Sequence, residues 1–409
     1  MKSTTLRPPS LTYSSAPKAA RIVLLMLERM DHGTLELALP DGSRRRYGRG
    51  APLVSASVAD WRAFARVLRS GDIGLAEGFI AAEWQTPDPP ALLRLLLAHR
   101  DQLERGVYGT WWGSLLHRLR HALNRNSRAG SAKNVHAHYD LGNDFYAQWL
   151  DPTMSYSSAW FEGNFSQPLA DAQRAKMRRA LQQAGVSPGA HVLEIGCGWG
   201  GLAEMAVQEF GARVTGITLS QAQLEWANRR MGAAGLSPRY DLRLQDYRDL
   251  KLRHADQPFD AIVSIEMFEA VGQAYWKPYF QTLRQCLKPG GLACIQTITI
   301  REDLFERYVK STDFIQQYIF PGGLLPSASR FEALAEHSGF TVERRLAFGQ
   351  DYAETLKRWR NDFHRSEREV LSLGFDSRFM RIWEFYMAYC EAAFTACNTD
   401  VMQFTLRRR

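Results

Sequence analysis

A run of glycines after an apolar segment is the part of this sequence best suited to chemistry. Residues 192–201 read VLEIGCGWGG, and a helical pattern follows. Glycine permits a tight turn and lets the backbone approach a bound molecule closely. The run therefore predicts a cofactor-binding loop. Its candidate residues are Glu194, Gly196, Cys197, Gly198, Trp199 and Gly200.

The spacing of this loop, E-x-G-x-G-x-G, resembles the first motif of class I S-adenosylmethionine methyltransferases rather than the G-x-G-x-x-G of dinucleotide enzymes. Gln245, Asp246 and Tyr247 end a later apolar run, where they could accept from an adenine amino group and cover its ring. An exposed acidic turn is the alternative. Polar residues lie at the end of the apolar run 212–218, where many members of this class carry an acidic residue that binds the ribose. They are Thr218, Ser220 and Gln223.

Apolar runs that alternate with helical segments must position these residues. The predicted strands are 191–197, 212–218, 241–247, 260–265 and 292–299. Such alternation predicts an α/β fold with a Rossmann-like doubly wound sheet. Ligands bind such a sheet at the carboxyl ends of its strands. The fold class is that of class I S-adenosylmethionine methyltransferases, preceded by a smaller N-terminal α+β domain.

The N-terminal region predicts a separate small domain. A turn at Pro40-Asp41-Gly42 indicates a hairpin over 34–47, and helical patterns follow at 58–68 and 90–105. The expected divisions are a mobile tail at 1–20, an N-terminal lipid-docking or membrane-docking domain at 21–123, a linker at 124–133 and a methyltransferase domain at 134–409.

Residues 109–123 predict a basic amphipathic helix with Trp111 and Trp112 at one end. Such a helix can lie in a membrane interface, with its cations against anionic lipid. Packing against the N-terminal domain is the alternative.

Composition excludes several classes of protein. The net charge of +8 favours phosphate-bearing partners, either nucleic acid or anionic lipid. No apolar run approaches the roughly 18 residues of a membrane span, and no secretory signal is recognisable. Five cysteines without C-x-x-C spacing predict neither disulfides nor a metal site. We expect a cytoplasmic protein.

Longer motifs then become informative. Residues 138–146 read HYDLGNDFY, 154–161 read MSYSSAWF, and 267–272 read MFEAVG. Together with SGDIG at 70–74 and YIFPGG at 318–323, they resemble the cyclopropane fatty acid synthase family over nearly the whole chain. That family includes the mycolic acid cyclopropane synthases and related acyl-lipid methyltransferases.

The resemblance implies that S-adenosylmethionine supplies one carbon to the double bond of an unsaturated phospholipid acyl chain, giving a cyclopropane. It adds Tyr139, Tyr156 and Ser157 to the expected cofactor-binding residues. It also implies a peripheral protein at the inner face of the membrane, in contact with anionic lipid, and a homodimer. Nucleic acid is not expected as a partner.

An alkene is a weak nucleophile, so the methyl donor must be held in line with it away from water. Attack leaves a carbocation, which aromatic faces can stabilise. The candidates are Tyr139, Tyr318, Phe320 and Tyr352, with core packing as the alternative for each.

Ring closure needs a base, which in the resembling family is a bound bicarbonate. The matching positions are Ser158, Glu269, Gln296, Ile298 and Tyr352. The best-known members have Cys where Ser158 stands and His where Gln296 stands. Glu269 could instead be a structural carboxylate. Cys390 matches a position often marked as the active cysteine, although a buried helix cysteine is the alternative.

Other outcomes stay open at this point. A hydride shift with loss of a different proton would leave a methylene branch in place of the ring. A nucleic-acid methyltransferase would share the cofactor fold, but it needs a polar base pocket and a recognition region. Residues 303–327 are instead rich in aromatic and apolar side chains, as an acyl tunnel requires. A non-catalytic lipid-binding protein is a third alternative.

Overall fold

The computed structural model describes residues 16–100, 141–252 and 258–409. The chain forms two compact units, residues 1–113 and 114–409. The predicted helix at 109–123, the linker at 124–133 and Tyr139 lie outside the described residues. In the part of the chain that is described, no helix is long and apolar enough to cross a membrane.

The N-terminal unit is an α+β structure with a sheet in the order β2-β1-β3-β4. Its elements are α1 (Lys18–Leu27), β1 (Gly33–Ala38), β2 (Arg44–Arg49), β3 (Leu53–Val58), α2 (Arg62–Ile80), β4 (Trp84–Gln85) and α3 (Pro89–Ala98). The predicted hairpin is confirmed, since β1 and β2 pair antiparallel around a turn where Gly42 has a φ of 81°.

Two N-terminal boundaries differ from the predictions. The tail was expected to reach residue 20, but α1 begins at Lys18 because it buries Ala20 and Leu24 on one face. The helix expected from residue 58 begins at Arg62, since Val58 still belongs to β3 and pairs with Trp84.

The second unit has the predicted α/β architecture. Its helices are α4 (Asn143–Ala147), α5 (Leu169–Gln183), α6 (Gly201–Gln208), α7 (Gln221–Ala233), α8 (Trp276–Cys286), α9 (Glu302–Val309), α10 (Phe314–Tyr318), α11 (Ala328–His337), α12 (Gly349–Arg365), α13 (Glu367–Ser372) and α14 (Ser377–Thr395). Short 3₁₀ helices lie at Tyr247–Leu252, Phe268–Ala270 and Gln273–Tyr275. Its strands are β5 (His191–Ile195), β6 (Arg213–Thr218), β7 (Tyr240–Leu244), β8 (Phe259–Ile265), β9 (Leu287–Ile300), β10 (Phe340–Ala347) and β11 (Thr399–Arg408).

These seven strands form one sheet in the order β10-β11-β9-β8-β5-β6-β7. Strands β5 to β9 pair in parallel, as predicted. Strands β5 and β8, in the middle of the sheet, are largely buried because both faces are covered there. Strands β10 and β11 were not predicted, and β11 pairs antiparallel with both β9 and β10.

The order of the strands determines where a ligand can bind. From β5 the chain proceeds outward to β6 and β7 and then returns to β8 on the other side of β5. The loops after β5 and β8 therefore leave the sheet at a topological switch point, where open α/β sheets bind their ligands. Separate apolar clusters cover the two faces of the sheet, and their members include Phe280 on one face and Val207 on the other.

Candidate active site

The predicted glycine loop follows β5 directly and turns into α6. Gly196, Gly198 and Gly200 have φ angles of 87°, 49° and 84°, a region that only glycine enters at little cost. The backbone N–H groups of Gly196 and Cys197 both donate to the Ile217 carbonyl, at 3.0 and 2.9 Å. These bonds attach the loop to the neighbouring strand β6.

The three glycines meet different surroundings. A Cβ built at Gly198 has open space around it, on the side that faces the cavity. A Cβ at Gly200 would lie 3.0 Å from the Ala227 Cβ on α7. Gly200 therefore serves the close packing of a helix against the loop, and it is not among the residues that line the cavity.

Polar residues after β6 and β7 reach the same edge of the sheet. Thr218 donates its hydroxyl to Gln223 Oε1 over 2.9 Å, and both line the cavity. The Ser220 hydroxyl accepts from the Gln223 backbone N–H at the start of α7. Ser220 is thus a helix cap rather than a wall of the cavity.

A cavity of about 360 Å³ opens along this edge. Several of its lining side chains have buried polar atoms without a hydrogen-bond partner among the described residues: Glu194 Oε2, both amide atoms of Gln245, and the Tyr247 hydroxyl. Buried polar groups are normally paired, so unpaired ones facing a cavity indicate a polar ligand. Donors, acceptors and an aromatic surface beside a glycine loop fit the nucleoside of S-adenosylmethionine.

The other predicted cofactor residues also line this cavity, except Tyr139, which lies outside the described residues. Asp246 lines it while accepting from the backbone N–H of Arg248 at 2.9 Å. Trp199 donates its indole N–H to Asn143 at 2.8 Å. Tyr156 shares a 2.8 Å hydrogen bond with Tyr386.

Lys176 is a buried cation that sequence reasoning missed. It is 1% exposed, and its ammonium donates to the Ser157 hydroxyl over 2.6 Å. Burial lowers the pKa of Lys176 to about 8, while the charge of Glu266 opposes that shift most strongly. Because the cavity wall includes Lys176, Glu194 and Glu266, one cation stands among carboxylates there.

Glu266 is the second residue that was missed. It follows β8 directly, lines the cavity and has a φ of 50°, which is uncommon for a residue with a side chain. Its Oε1 accepts from the Ser158 backbone N–H at 2.8 Å and from the Gln296 side-chain amide at 2.7 Å. Its Oε2 accepts from the Tyr352 hydroxyl at 2.6 Å.

A chain of side-chain bonds fixes the direction of the Gln296 amide. Arg179 donates to Gln403 Oε1, and Gln403 donates through Nε2 to Gln296 Oε1 at 3.0 Å. Arginine has no acceptor, so the orientation of each amide follows from the one before it. Gln296 must therefore present its N–H to Glu266.

Glu269 lies nearby in the 3₁₀ helix after β8. Its Oε1 accepts from the Ile298 backbone N–H, whereas its buried Oε2 has no hydrogen-bond partner in the part of the chain that the structure describes. Burial, with the charge of Glu266 second, raises the pKa of Glu269 to about 8. Burial also raises the pKa of Glu266, but its three donors and Lys176 act in the opposite direction. We therefore assign the negative charge to Glu266 and the proton to Glu269 at neutral pH.

This arrangement differs from the expected bicarbonate site. The five matched positions do come together, but the donors of Ser158, Gln296 and Tyr352 bind Glu266. The Ile298 N–H binds Glu269. Ser158 and Gln296 do not line the cavity. The donors expected to hold bicarbonate are thus bonded to the protein's own carboxylates, and the residues present do not fit a bound bicarbonate.

Much of the cavity wall is aromatic and apolar. Phe320 and Tyr352 line it, as the predicted cation-stabilising role requires, whereas Tyr318 is 38% exposed and is not among the lining residues. Cys390 lines the cavity from α14, and burial raises the pKa of its thiol. A thiolate nucleophile is therefore disfavoured at this position.

The missed residues left only weak signals in the sequence. Glu266 is a charged residue immediately after an apolar strand that ends at the predicted ligand edge, and this was the one usable sign. Lys176 and Gln403 lie in segments whose composition does not distinguish them from surface residues. Only the folded contacts identify their partners.

Comparison with known proteins agrees with this geometry. The family model described as mycolic acid cyclopropane synthetase matches residues 126–404. A tuberculostearic acid methyltransferase of Mycobacterium tuberculosis is 40% identical over 351 residues, 84% of this chain and 80% of that protein. The cyclopropane-fatty-acyl-phospholipid synthase of Escherichia coli K12 is 32% identical over 389 residues, 91% of this chain and 96% of that protein.

Solved structures include a similar protein as well. The crystal structure of a mycolic acid cyclopropane synthase complexed with SAH and CTAB has a TM-score of 0.63 and 32% identity to this chain. The match covers 68% of this chain and 98% of that one.

Proposed function

Because the chain belongs to the mycolic acid cyclopropane synthetase family, we propose that it forms cyclopropane fatty acids. As an S-adenosylmethionine-dependent methyltransferase, it would transfer one carbon to the double bond of an unsaturated phospholipid acyl chain. One observation carries the proposal. A single cavity is lined by the glycine loop, by buried carboxylates and by apolar and aromatic side chains.

The walls of the cavity suit an acyl chain. The cavity has apolar surface from Ile315, Phe320, Leu324, Leu356 and Phe394. A polar target-base pocket, as a nucleic-acid methyltransferase needs, would require hydrogen-bonding groups in their place. An apolar pocket also excludes water, which would otherwise compete with the alkene for the electrophile.

Bound S-adenosylmethionine supplies an electrophilic methyl group. The glycine loop and the amide of Gln245 hold the donor, while the apolar walls orient the alkene toward it. Attack by the alkene leaves a positive charge on the neighbouring carbon. The faces of Tyr352 and Phe320, together with the negative charge of Glu266, stabilise that cation.

A methylene branch is a second candidate product. One observation favours it: a relative with 40% identity is named a methyltransferase for tuberculostearic acid rather than a cyclopropane synthase. After a hydride shift, loss of a proton from the transferred carbon would give a C=CH2 branch on the open acyl chain. A saturated methyl branch would additionally need a hydride from a separate donor.

The test uses purified protein, methyl-labelled S-adenosylmethionine and vesicles of unsaturated phospholipid, with vesicles of saturated phospholipid as the matched control. We expect label only in the unsaturated lipid. Cyclopropane and methylene products are isomers, so proton NMR of the released methyl esters must distinguish them. Cofactor binding without any labelled lipid would refute the proposal.

We further propose that the protein works at the inner face of the membrane as a peripheral, dimeric protein. The support is the pattern of residues 109–123 and the charge of +8. Sedimentation with anionic vesicles but not with neutral ones is expected, and salt should weaken it. Light scattering after size exclusion tests the dimer. Equal binding to both vesicle types would contradict the electrostatic part.

A further inference from the structure

The position of Glu266 permits an inference about how the reaction ends. Its carboxylate stands at the carboxyl end of β8, beside the glycine loop and on the wall of the cavity. The residue holds a left-handed backbone conformation, with φ at 50°. Such conformations cost free energy and persist only where surrounding contacts maintain them.

The contacts that maintain it are three hydrogen bonds from distant parts of the chain. The donors are the Ser158 backbone, the Gln296 amide and the Tyr352 hydroxyl, at 2.8, 2.7 and 2.6 Å. A peptide N–H is always a donor, and the bonds from Arg179 through Gln403 make the Gln296 amide a donor as well. Oε1 of Glu266 therefore accepts twice, which suits an ionised carboxylate.

The same donors are the ones that the family resemblance assigns to a free bicarbonate. Since Glu266 already accepts from them, a second anion there would lack donors and would meet a like charge. Glu269 cannot substitute as an acceptor of protons while it holds its own proton at neutral pH. Among the described residues that line the cavity, Glu266 is a carboxylate held by donors from three separate residues. The Asp246 carboxylate also lines the cavity, but it is ion-paired with Arg248.

We propose that the Glu266 carboxylate is the catalytic base and that this protein works without bicarbonate. The inference rests on the proposed one-carbon transfer to an alkene. After that transfer, a Glu266 oxygen takes a proton from the transferred carbon. The electron pair of the broken C–H bond then closes the ring, or forms a double bond if a hydride has first shifted. In either case the cation is neutralised and the product leaves with no net charge gained.

The first test needs no variant. Wild-type protein is assayed with labelled S-adenosylmethionine and unsaturated vesicles in buffer freed of carbon dioxide under argon, and again with added bicarbonate. We expect the same rate in both. A rate that falls away without bicarbonate and returns on its addition would overturn the inference.

Two substitutions then distinguish the effect of the Glu266 charge from the effect of the space that its side chain occupies. Glu266→Gln keeps the volume and removes the base, so we expect a loss of about 100-fold or more that bicarbonate does not restore. Glu266→Gly opens the anion position and suits the left-handed backbone. Added bicarbonate should therefore restore part of its activity. A merely structural role for Glu266 would not produce that difference in rescue.

Glu162→Gln is the matched control, because Glu162 is exposed and also has a positive φ, at 55°. It should keep the wild-type rate. Circular dichroism and S-adenosylmethionine binding establish that each variant is folded. A folded, cofactor-binding Glu266→Gln protein with the wild-type rate would overturn the inference.

The two proposals fail differently. If wild-type protein labels no lipid under either condition, the proposed function fails, and the inference fails with it. If wild-type protein labels lipid but only with bicarbonate, the proposed function stands and Glu266 is not the base.

Discussion

Replacing Tyr352 by phenylalanine removes one hydroxyl donor from Glu266 and leaves the aromatic ring in place. The ring packs against Phe394, with centroids 4.4 Å apart, and the residue is only 6% exposed. The packing of the ring should therefore be kept in the variant. The substitution isolates one hydrogen bond to an ionised group.

The expected size follows from that bond. A hydrogen bond to a charged group contributes about 1.5–3 kcal/mol, and one pKa unit corresponds to about 1.4 kcal/mol. Loss of the bond should raise the pKa of Glu266 by about one to two units. The free energy of unfolding should fall by a similar amount at neutral pH. The difference should vanish at acidic pH, where Glu266 is protonated in both proteins.

A double-mutant cycle with Glu266→Gln measures the coupling directly. Urea unfolding of wild type, both single variants and the double variant should give a coupling energy of about 1.5–3 kcal/mol. Tyr240→Phe, at the opposite end of the sheet, is the control and should not couple to Glu266. A coupling energy under about 0.5 kcal/mol would refute the assignment of an ionised Glu266.

Further substitutions test other parts of the site. Gly200→Ala and Gly235→Ala each place a side chain at positive φ, which costs about 1–2 kcal/mol. Of these two positions, only Gly200 has a neighbouring helix within contact distance of the new Cβ, so urea unfolding should show the larger loss of stability for Gly200→Ala. Equal losses of stability would contradict the packing argument. Gln245→Ala should weaken S-adenosylmethionine binding by about tenfold in calorimetry. The melting temperature of the ligand-free protein should not change. An unaltered affinity for S-adenosylmethionine would show that Gln245 is not part of the cofactor site. The raised pKa of Glu269 means that stability is gained below its ordinary value of 4.5 and lost as pH rises to about 8. Glu269→Gln should flatten that part of the pH dependence of unfolding, and an unchanged slope would contradict the assigned proton.

The cofactor half of the site was accessible from the sequence because its signals are local. The glycine loop directly follows an apolar strand in the sequence. The other cofactor-site residues directly follow the next two strands. The parallel strands β5 to β9 were also predicted, since most of them contain an apolar run of the kind that strands covered on both faces show. Strand β10 was missed because most of its residues face solvent and break that pattern.

The acid–base half of the site was not accessible in the same way. Glu266 acquires its role from donors at positions 158, 296 and 352, which no local pattern connects. The resemblance identified those donors correctly as neighbours, but it assigned them to bicarbonate. A carboxylate that fills the same position from within the chain becomes visible only when side-chain contacts are known.

The pairing of β11 with β9 affects when the site can form during synthesis. Gln403 lies directly opposite Gln296 in the antiparallel register, so its side chain meets the amide that contacts Glu266. A ribosome produces the glycine loop and Glu266 well before it reaches Gln403. A nascent chain could therefore acquire its cofactor pocket early. It would still lack the contact that orients its carboxylate until β11 emerges and inserts beside β9.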